Sequence, residues 1–116
     1  MTNSSQHPVI DSLTGIANLH GFKLMSEKAL KMCERMATAV SLVMFDLDDF
    51  SFLNEQCGTE VGDEALKAFA QILQQQFRGS DVFARVGDDE FAALLTGTGE
   101  DNVQDALNRV HTAVNK

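Results

Sequence analysis

The sequence predicts a domain of mixed α/β type (α+β), in which helices cover a β-sheet whose strands run in mixed directions. Three observations lead to this prediction. Helical apolar periods alternate with short strand-like runs in the order αβαββα, the last two strands are joined by a tight turn, and 44% of the 116 residues are hydrophobic. Because the two hairpin strands follow each other directly, the order does not fit a doubly wound parallel sheet. The length suits one domain with a single core.

The first ten residues contain the only proline and several polar residues. They are predicted to be a flexible leader or linker, so that the domain itself comprises residues 11–116. Apolar residues then recur at helical spacing from Asn18 to about Ala37, which predicts an amphipathic helix. The residues expected on its inner face are Phe22, Met25, Ala29, Met32 or Cys33, and Met36.

A strand follows in the run TAVSLVMFD, residues 38–46, which is rich in apolar and β-branched residues and stops at Asp46. Such a run is typical of a strand that is buried on both faces. We therefore expect a central strand that carries Asp46 at its C-terminal end.

The second half of the sequence predicts a helix, a β-hairpin and a last helix. An apolar stripe defines the first helix, from about Glu60 to Phe77. Strands are predicted at about 82–86 and 90–95, joined by a turn that contains Gly87 and Asp88. The last helix follows from the apolar spacing between residues 103 and 114. The hairpin therefore carries acidic residues at its tip.

Charge and composition exclude several classes of function. A net charge of −8 argues against nucleic-acid binding, so an anionic ligand would have to be held locally, by a metal or a few arginines. Apolar runs such as residues 42–45 are too short to span a bilayer, and no membrane contact is expected from this chain. Cys33 and Cys57 are read as reduced thiols. The expected location is the cytoplasm, either alone or as the cytoplasmic domain of a larger membrane or multidomain protein.

The acidic residues that end the first strand suggest a metal site. A calcium loop beginning at Asp46 is excluded, because its sixth position is Ser51 instead of glycine and its twelfth is Cys57 instead of glutamate. We expect instead that Asp46 converges with the hairpin tip on Mg²⁺, which prefers one or two carboxylates together with water and phosphate oxygens. On composition alone, the same residues are equally consistent with solvated loop ends.

Three motifs occur in the order and spacing of the GGDEF family, which comprises the diguanylate cyclase domains. They are DSLTGIANLHGF (11–22), FDLDDFSFLNEQCGTEVGDEAL (45–66) and RGSDVFARVGDDEF (78–91). The resemblance extends from Asp11 to about Arg109. It implies a palm-like sheet related to nucleotidyl cyclases and polymerases, with the signature on the hairpin. It also implies that two domains, each holding one GTP, form a homodimer that makes cyclic di-GMP and two pyrophosphates.

The resemblance assigns roles to residues at the strand end and the hairpin. Asp46, the backbone carbonyl of Leu47, and Asp89 match the ligands of Mg²⁺ or Mn²⁺. Asp89 and Glu90 are the expected catalytic residues. Gly87 matches the glycine that lets the backbone approach the nucleotide.

Two further sets of ligand-binding residues follow from the same resemblance. Asn54 and Asp63 match residues that read the guanine edge, where a carboxylate can accept from the N1 and N2 donors. Arg78, Asp81 and Arg109 match a product-binding inhibitory site for cyclic di-GMP, since arginine donates two hydrogen bonds in one plane. The sequence RGSD, residues 78–81, is also ordinary chemistry for a helix stop and a strand entry.

Three departures from the family pattern argue against an active enzyme. Asp88 replaces the second glycine of the signature; aspartate tolerates the positive φ of a tight turn, but its charge about 4 Å from a phosphate costs roughly 1 to 4 kcal/mol. That penalty shrinks if Asp88 turns outward or joins the metal shell. Ser51 stands where the family has a lysine, and Leu19 and His20 replace an arginine pair. The domain is also expected to lack the family's final strand and helix.

Three functions remain open at this point. The first is a diguanylate cyclase domain that is active in a longer protein. The second is a non-catalytic regulatory module that binds cyclic di-GMP through Arg78, Asp81 and Arg109, or GTP through the altered hairpin. The third is a dimerising scaffold without a ligand. We expect a GGDEF-type domain whose isolated chain is weakly active or inactive.

Overall fold

A three-stranded sheet and four helices make up the part of the chain that the structure, a computed structural model, describes: residues 8–47, 50–77, 81–97 and 100–114. In chain order the elements are α1 (Leu19–Met36), β1 (Val40–Asp46), α2 (Phe50–Cys57), α3 (Thr59–Gln76), β2 (Val82–Arg85), β3 (Glu90–Thr96) and α4 (Glu100–Val114). None of the helices in these ranges is long and apolar enough to cross a membrane.

The strand order in the sheet is β1-β3-β2, and β3 pairs antiparallel with both neighbours. The register runs from Val40 opposite Thr96 to Asp46 opposite Glu90. A single parallel bridge between Ala17 and Ala84 places the segment before α1 beside β2. The named strands are thus antiparallel, and this bridge supplies the parallel component of the mixed sheet that the sequence predicts.

The central strand of the sheet is β3, and the prediction that β1 is central and buried on both faces is wrong. Residues 91–95 of β3 are all buried. Along β1, exposed residues alternate with half-buried ones, and Leu42 and Met44 are 60% and 57% exposed. The reason is that β1 pairs only with β3 in the described sheet, while α1 lies against β2 and β3. An apolar run cannot by itself show which strand has neighbours on both sides.

The core lies between the sheet and the pair α3 and α4. On the sheet side it contains Phe91, Ala93 and Leu95, which share one face of β3 because side chains alternate along a strand. Phe69 of α3 packs edge-on against Phe91, with ring centroids 4.9 Å apart. The helical residues of the core are Leu66, Phe69, Ala70, Leu73, Ala106 and Val110. The predicted apolar stripe of α3 is therefore confirmed, as are the hairpin and the last helix.

The inner face of α1 differs from the predicted one. Met25, Met32 and Met36 are 43%, 52% and 64% exposed, whereas Cys33 is buried. The half-buried positions are Phe22, Ser26 and Ala29, so the inward spacing is 22, 26, 29, 33. Both this spacing and the predicted one fit a helix, and the two differ by a small rotation about its axis.

Helix α2 is an element that the sequence did not predict. It spans only eight residues, Phe50–Cys57, and two turns are too few to establish an apolar period. Its place in the fold matters, because it carries Asn54 between the end of β1 and the start of α3.

Candidate active site

The end of β1 and the tip of the hairpin meet in the structure. Asp46, the last residue of β1, lies opposite Glu90, the first residue of β3. The next residue, Leu47, donates its backbone N–H to the carbonyl oxygen of Asp89 at 3.1 Å. The two acidic motifs, which are more than 40 positions apart in the sequence, are therefore joined by the main chain. This is the convergence that the sequence predicts.

The hairpin turn, residues 86–89, is closed by main-chain hydrogen bonds. The backbone N–H groups of Val86 and Gly87 both donate to the carbonyl of Glu90, at 2.9 and 3.2 Å. A Cβ at Gly87 would lie 2.6 Å from Oε1 and 3.3 Å from Cβ of Glu90. A side chain at position 87 would therefore displace the flexible Glu90 carboxylate, which folds across Gly87. The φ of Gly87 is not positive, so the backbone itself does not require glycine here.

Asp88 fits the turn without backbone strain, because its φ is not positive and the tolerance of aspartate for that conformation is not needed. Among the described residues only Ala37 is a non-glycine with positive φ. The Asp88 side chain is exposed, while Asp89 beside it is half-buried. Asp88 therefore points its charge toward solvent, which is the outward arrangement that lowers its electrostatic penalty.

Arg85 holds the turn from one side, a role that the motif comparison missed. Its Nε and Nη2 donate to the carbonyl oxygen of Asp88 at 3.1 and 2.8 Å. Its Nη1 lies 3.2 and 3.3 Å from the two carboxylate oxygens of Asp11. The signal available in the sequence was weak: an arginine three positions before Asp88, and an Asp-x-x-Thr turn at Asp11.

Burial and hydrogen bonding shift the pKa of the Asp11 carboxyl group in opposite directions. Burial is the largest single influence and would raise the pKa of this carboxyl group. The hydrogen bonds from the hydroxyl and amide of Thr14, together with the charge of Arg85, outweigh it and lower the pKa below its ordinary value of 3.8. The Asp11 carboxylate is therefore charged and bound under physiological conditions.

We expect Asp11→Asn to lower the free energy of unfolding by about 1 to 2 kcal/mol at pH 7, because hydrogen bonds to a charged group are lost. A lowered folded-state pKa stabilises the fold above the unfolded value of 3.8 and loses that contribution as the pH falls through the folded value. The free energy of unfolding is measured with urea at pH 7, 5 and 3 for wild type and variant. The difference between them should have its full size at pH 7 and 5 and should be smaller at pH 3. A difference that does not depend on pH would contradict the conclusion that the charged Asp11 carboxylate stabilises the fold. The control is Asp105→Asn, on the exposed surface of α4.

The residues at the hairpin tip fit magnesium better than a metal that needs a full protein cage. Among the residues that the structure describes, no three His, Cys, Asp or Glu side chains lie together so that they could hold a metal ion. Magnesium needs only one or two carboxylates and takes its other ligands from water and substrate phosphates. Asp46 and Asp89, with the backbone carbonyl of Leu47, lie on adjacent strand ends and are the groups that could supply such a partial donor set.

The two residues expected to read guanine lie on the paired helices α2 and α3. Asn54 is on α2 and Asp63 is in the first turns of α3, on either side of the Gly58 connection. Oδ1 of Asn54 is buried and has no hydrogen-bond partner among the described residues. Buried polar atoms are nearly always satisfied, so this oxygen is an acceptor that still lacks a donor among those residues.

The structure describes the proposed cyclic di-GMP site only in part. Arg78 and Ser80 lie outside the described residues. Oδ1 of Asp81 accepts a hydrogen bond from the backbone N–H of Thr96 at 3.2 Å, so this carboxylate also anchors β3. Nη2 of Arg109, on α4, donates to the carbonyl oxygen of Gln76 at 3.4 Å. Gln76 is the last residue of α3 and precedes Arg78 by two positions in the sequence.

An open groove of about 920 Å³ lies between the end of β1, α3 and α4, and Asp46 and Leu47 are among its lining residues. Its lining is mostly apolar and includes Phe45, Phe69, Leu107 and Val114. Its polar lining residues are Asp46, Gln104, Asn108 and His111. The groove therefore shares Asp46 and Leu47 with the predicted metal site, whereas Asn54 and Asp63, the residues expected to read guanine, do not line it.

Comparison with known proteins gives consistent matches. The sequence model of a family described as "Diguanylate cyclase, GGDEF domain" matches residues 8–116. The chain is 37% identical over 105 residues to "Probable diguanylate cyclase DgcC" of Escherichia coli K12, covering 90% of this chain and 28% of that protein. It is 36% identical over 93 residues to "Diguanylate cyclase DgcS" of Shewanella oneidensis, covering 80% and 31% respectively.

A solved structure confirms the fold class. The GGDEF domain of DgcB from Caulobacter crescentus, determined in complex with c-di-GMP, superposes with a TM-score of 0.84 at 25% sequence identity. The superposition covers 90% of this chain and 61% of that one. The chain thus spans less than a third of the two curated relatives and about three fifths of this structure.

Proposed function

The chain belongs to the GGDEF family of diguanylate cyclase domains, and from that premise we propose that its hairpin tip binds one GTP together with Mg²⁺ or Mn²⁺. The observation that carries the proposal is the pairing of Asp46 with Glu90 and of Leu47 with Asp89. It brings the strand-end acid and the signature acids to one place on the sheet. Carboxylates at one place repel one another, and a bound cation would offset that repulsion.

Two regions of the described structure bind different parts of the nucleotide: the hairpin binds the metal and the phosphates, and the helices α2 and α3 bind the base. At the hairpin, Asp46, Asp89 and the Leu47 carbonyl would hold the metal, and Glu90 lies beside Asp89 as the second catalytic residue. When bound, the metal withdraws charge from the substrate phosphates. Gly87 leaves room where a side chain would displace the Glu90 carboxylate.

The guanine base is bound by the helix pair. The buried Oδ1 of Asn54 accepts a hydrogen bond from the base, which satisfies an otherwise costly buried acceptor. Asp63 accepts from the N1 and N2 donors of guanine. Together they favour guanine over adenine, whose corresponding edge offers an acceptor at N1 and thus opposes a carboxylate.

Synthesis of cyclic di-GMP requires a second domain, because each domain holds one GTP. The 3′-hydroxyl of each GTP attacks the α-phosphate of the other, two phosphodiester bonds form, and two pyrophosphates leave. The partner is a second GGDEF domain, in a homodimer. We place this reaction in the cytoplasm, where GTP is available.

A regulatory role in binding cyclic di-GMP is the second candidate. It is favoured by the hydrogen bond from Arg109 of α4 to Gln76, the last residue of α3, which precedes Arg78 by two positions in the sequence. Asp81 directly precedes β2. Ser51 and Asp88 also remove one positive charge and add one negative charge relative to the family pattern. Both changes weaken phosphate binding at the hairpin and leave the second site unaffected.

The experiment that separates the two candidates is to incubate the purified chain with GTP and Mg²⁺, analyse the nucleotides, and titrate cyclic di-GMP in parallel. Product that disappears in Asp89→Ala but persists in Asp105→Ala supports the cyclase. Tight cyclic di-GMP binding without turnover, lost in Arg78→Ala but kept in the exposed surface variant Arg35→Ala, supports the regulatory module. GTP binding that does not respond to Asp89→Ala contradicts the proposed hairpin site.

We expect Asp88→Gly to raise GTP affinity about fivefold. The Asp88 side chain is exposed, so its repulsion of a phosphate about 4 Å away corresponds to roughly 1 kcal/mol in a water-like dielectric. Calorimetric titration of GTP with Mg²⁺ measures this, and Asp105→Asn controls for the change in net charge. If affinity does not rise, the electrostatic explanation of position 88 is wrong.

A further inference from the structure

Arg85 joins two turns that are distant in the sequence. One edge of its guanidinium binds the Asp88 carbonyl, and Nη1 binds the carboxylate of Asp11, 74 positions away. The side chains of Arg85 and Asp11 are only 16% and 17% exposed. Their interaction is therefore screened less than the exposed Lys67–Glu64 pair on α3, whose side chains are 46% and 74% exposed.

The Asp11 end of this link is itself firmly held. The carboxylate accepts hydrogen bonds from the amide and hydroxyl of Thr14, at 2.9 and 2.7 Å. The backbone N–H of Asp11 donates to the carbonyl of Ile16, and that of Arg85 donates to the carbonyl of Ala17. The N-terminal turn, residues 11–17, is thus bonded to β2 through both main chain and side chain.

The Asp88 end of the link fixes the peptide group that precedes Asp89. The carbonyl of Asp88 is held by Arg85, and the carbonyl of Asp89 is held by the N–H of Leu47. The peptide planes on both sides of Asp89 are therefore anchored, which restricts the two backbone dihedrals that aim its carboxylate. Because Arg85 binds a main-chain atom, the restraint does not depend on which side chain stands at position 88.

We propose that Arg85 is a positioning residue that couples the N-terminal turn to the Asp89 carboxylate, so that the state of this turn sets the affinity of the hairpin tip for metal and nucleotide. The proposal rests on the proposed function for its ligand. Loss of the Asp11 contact leaves the Arg85 guanidinium bonded only to the Asp88 carbonyl, and the peptide before Asp89 gains freedom. A movement of residues 11–17 is thereby transmitted to the site without any contact with the ligand.

The test uses Asp11→Asn, which keeps the shape of the side chain, and Arg85→Lys, which keeps the charge but not the two-sided fork. Lys67→Gln, which breaks the exposed pair on α3, is the matched control. Hydrogen exchange is measured first without ligand. We expect the amides of Val86 and Gly87 to exchange about tenfold faster in both variants, as loss of one hydrogen bond to a charged group implies. Ala93, at the centre of β3, should exchange at the wild-type rate.

Titration with Mn²⁺ and GTP then tests the effect on the site. We expect both variants to bind at least about threefold more weakly than wild type, and the double variant to be no weaker than the worse single one, because both act through one link. Unchanged exchange at the turn in both variants would overturn the proposal, as would faster exchange with unchanged affinity. If the wild-type chain binds no GTP, the proposed function fails, while the exchange data still decide whether Arg85 restrains the turn.

Discussion

Phe91→Ala lowers the free energy of unfolding by about 3 to 5 kcal/mol, the usual effect of truncating a fully buried phenylalanine. Phe91 has no exposed surface, and its ring packs edge-on against Phe69 of α3 at 4.9 Å. It also follows Glu90 directly and pairs with both Arg85 of β2 and Phe45 of β1. The cavity would therefore open beneath the strand that supports the hairpin tip.

Denaturant unfolding measures this loss, and Met44→Ala on β1 is the control, because Met44 is 57% exposed and should change stability by less than about 1 kcal/mol. Because a domain of this size has only about 5 to 15 kcal/mol of stability, Phe91→Ala is expected to leave it close to unfolding at 37 °C. Equal effects of the two substitutions would contradict the position of the core between β3 and α3.

Gly21→Ala has the second largest expected effect on stability, about 1 to 3 kcal/mol. A Cβ at Gly21 would overlap the carbonyl oxygen of Val9, which is backbone and cannot rotate away. The same carbonyl accepts the backbone N–H of Asn18, whose side chain caps α1 by accepting from the Gly21 N–H at 2.8 Å. Residues 8–10 must therefore separate from the start of α1 in the variant.

Limited proteolysis and thermal unfolding report the two parts of this prediction. Faster cleavage near residues 8–10 together with a lower melting temperature is expected. The control is Ala29→Gly, which places a glycine inside the same helix and costs about 1 kcal/mol through helix propensity without touching Val9. Wild-type stability of Gly21→Ala would show that Val9 does not pack against α1.

The sequence predicted the elements whose pattern has a single explanation. Helix α3 has an apolar stripe that fits only one rotation, and the hairpin has two strands on either side of an unmistakable turn. For α1, spacings of 25 and 32 or of 26 and 33 fit a helix equally well, and packing decides between them by burying Cys33 and exposing Met32. For β1, the position at the edge of the described sheet depends on pairing between distant segments, which no local pattern contains.

The candidate site divides in the same way. The meeting of Asp46 with the hairpin tip follows from a strand end and a turn, and both have sequence patterns. The backbone φ of Asp88 and the link from Arg85 to Asp11 have no such sequence pattern. The first depends on the geometry of the four-residue turn, and the second is a contact between residues 74 positions apart. Arg78 lies outside the described residues, so its role at the second site remains a prediction.

The central claim is that Asp46 and Asp89 belong to one metal site. It is tested most directly by measuring Mn²⁺ binding, in the presence of GTP, to wild type, Asp46→Asn, Asp89→Asn and the double variant, with Asp105→Asn as the control. If both carboxylates hold the same ion, each single substitution removes most of the affinity and the double substitution removes little more. Losses that add independently, or Mn²⁺ binding that neither substitution weakens, would contradict a shared site at the end of β1 and the tip of the hairpin.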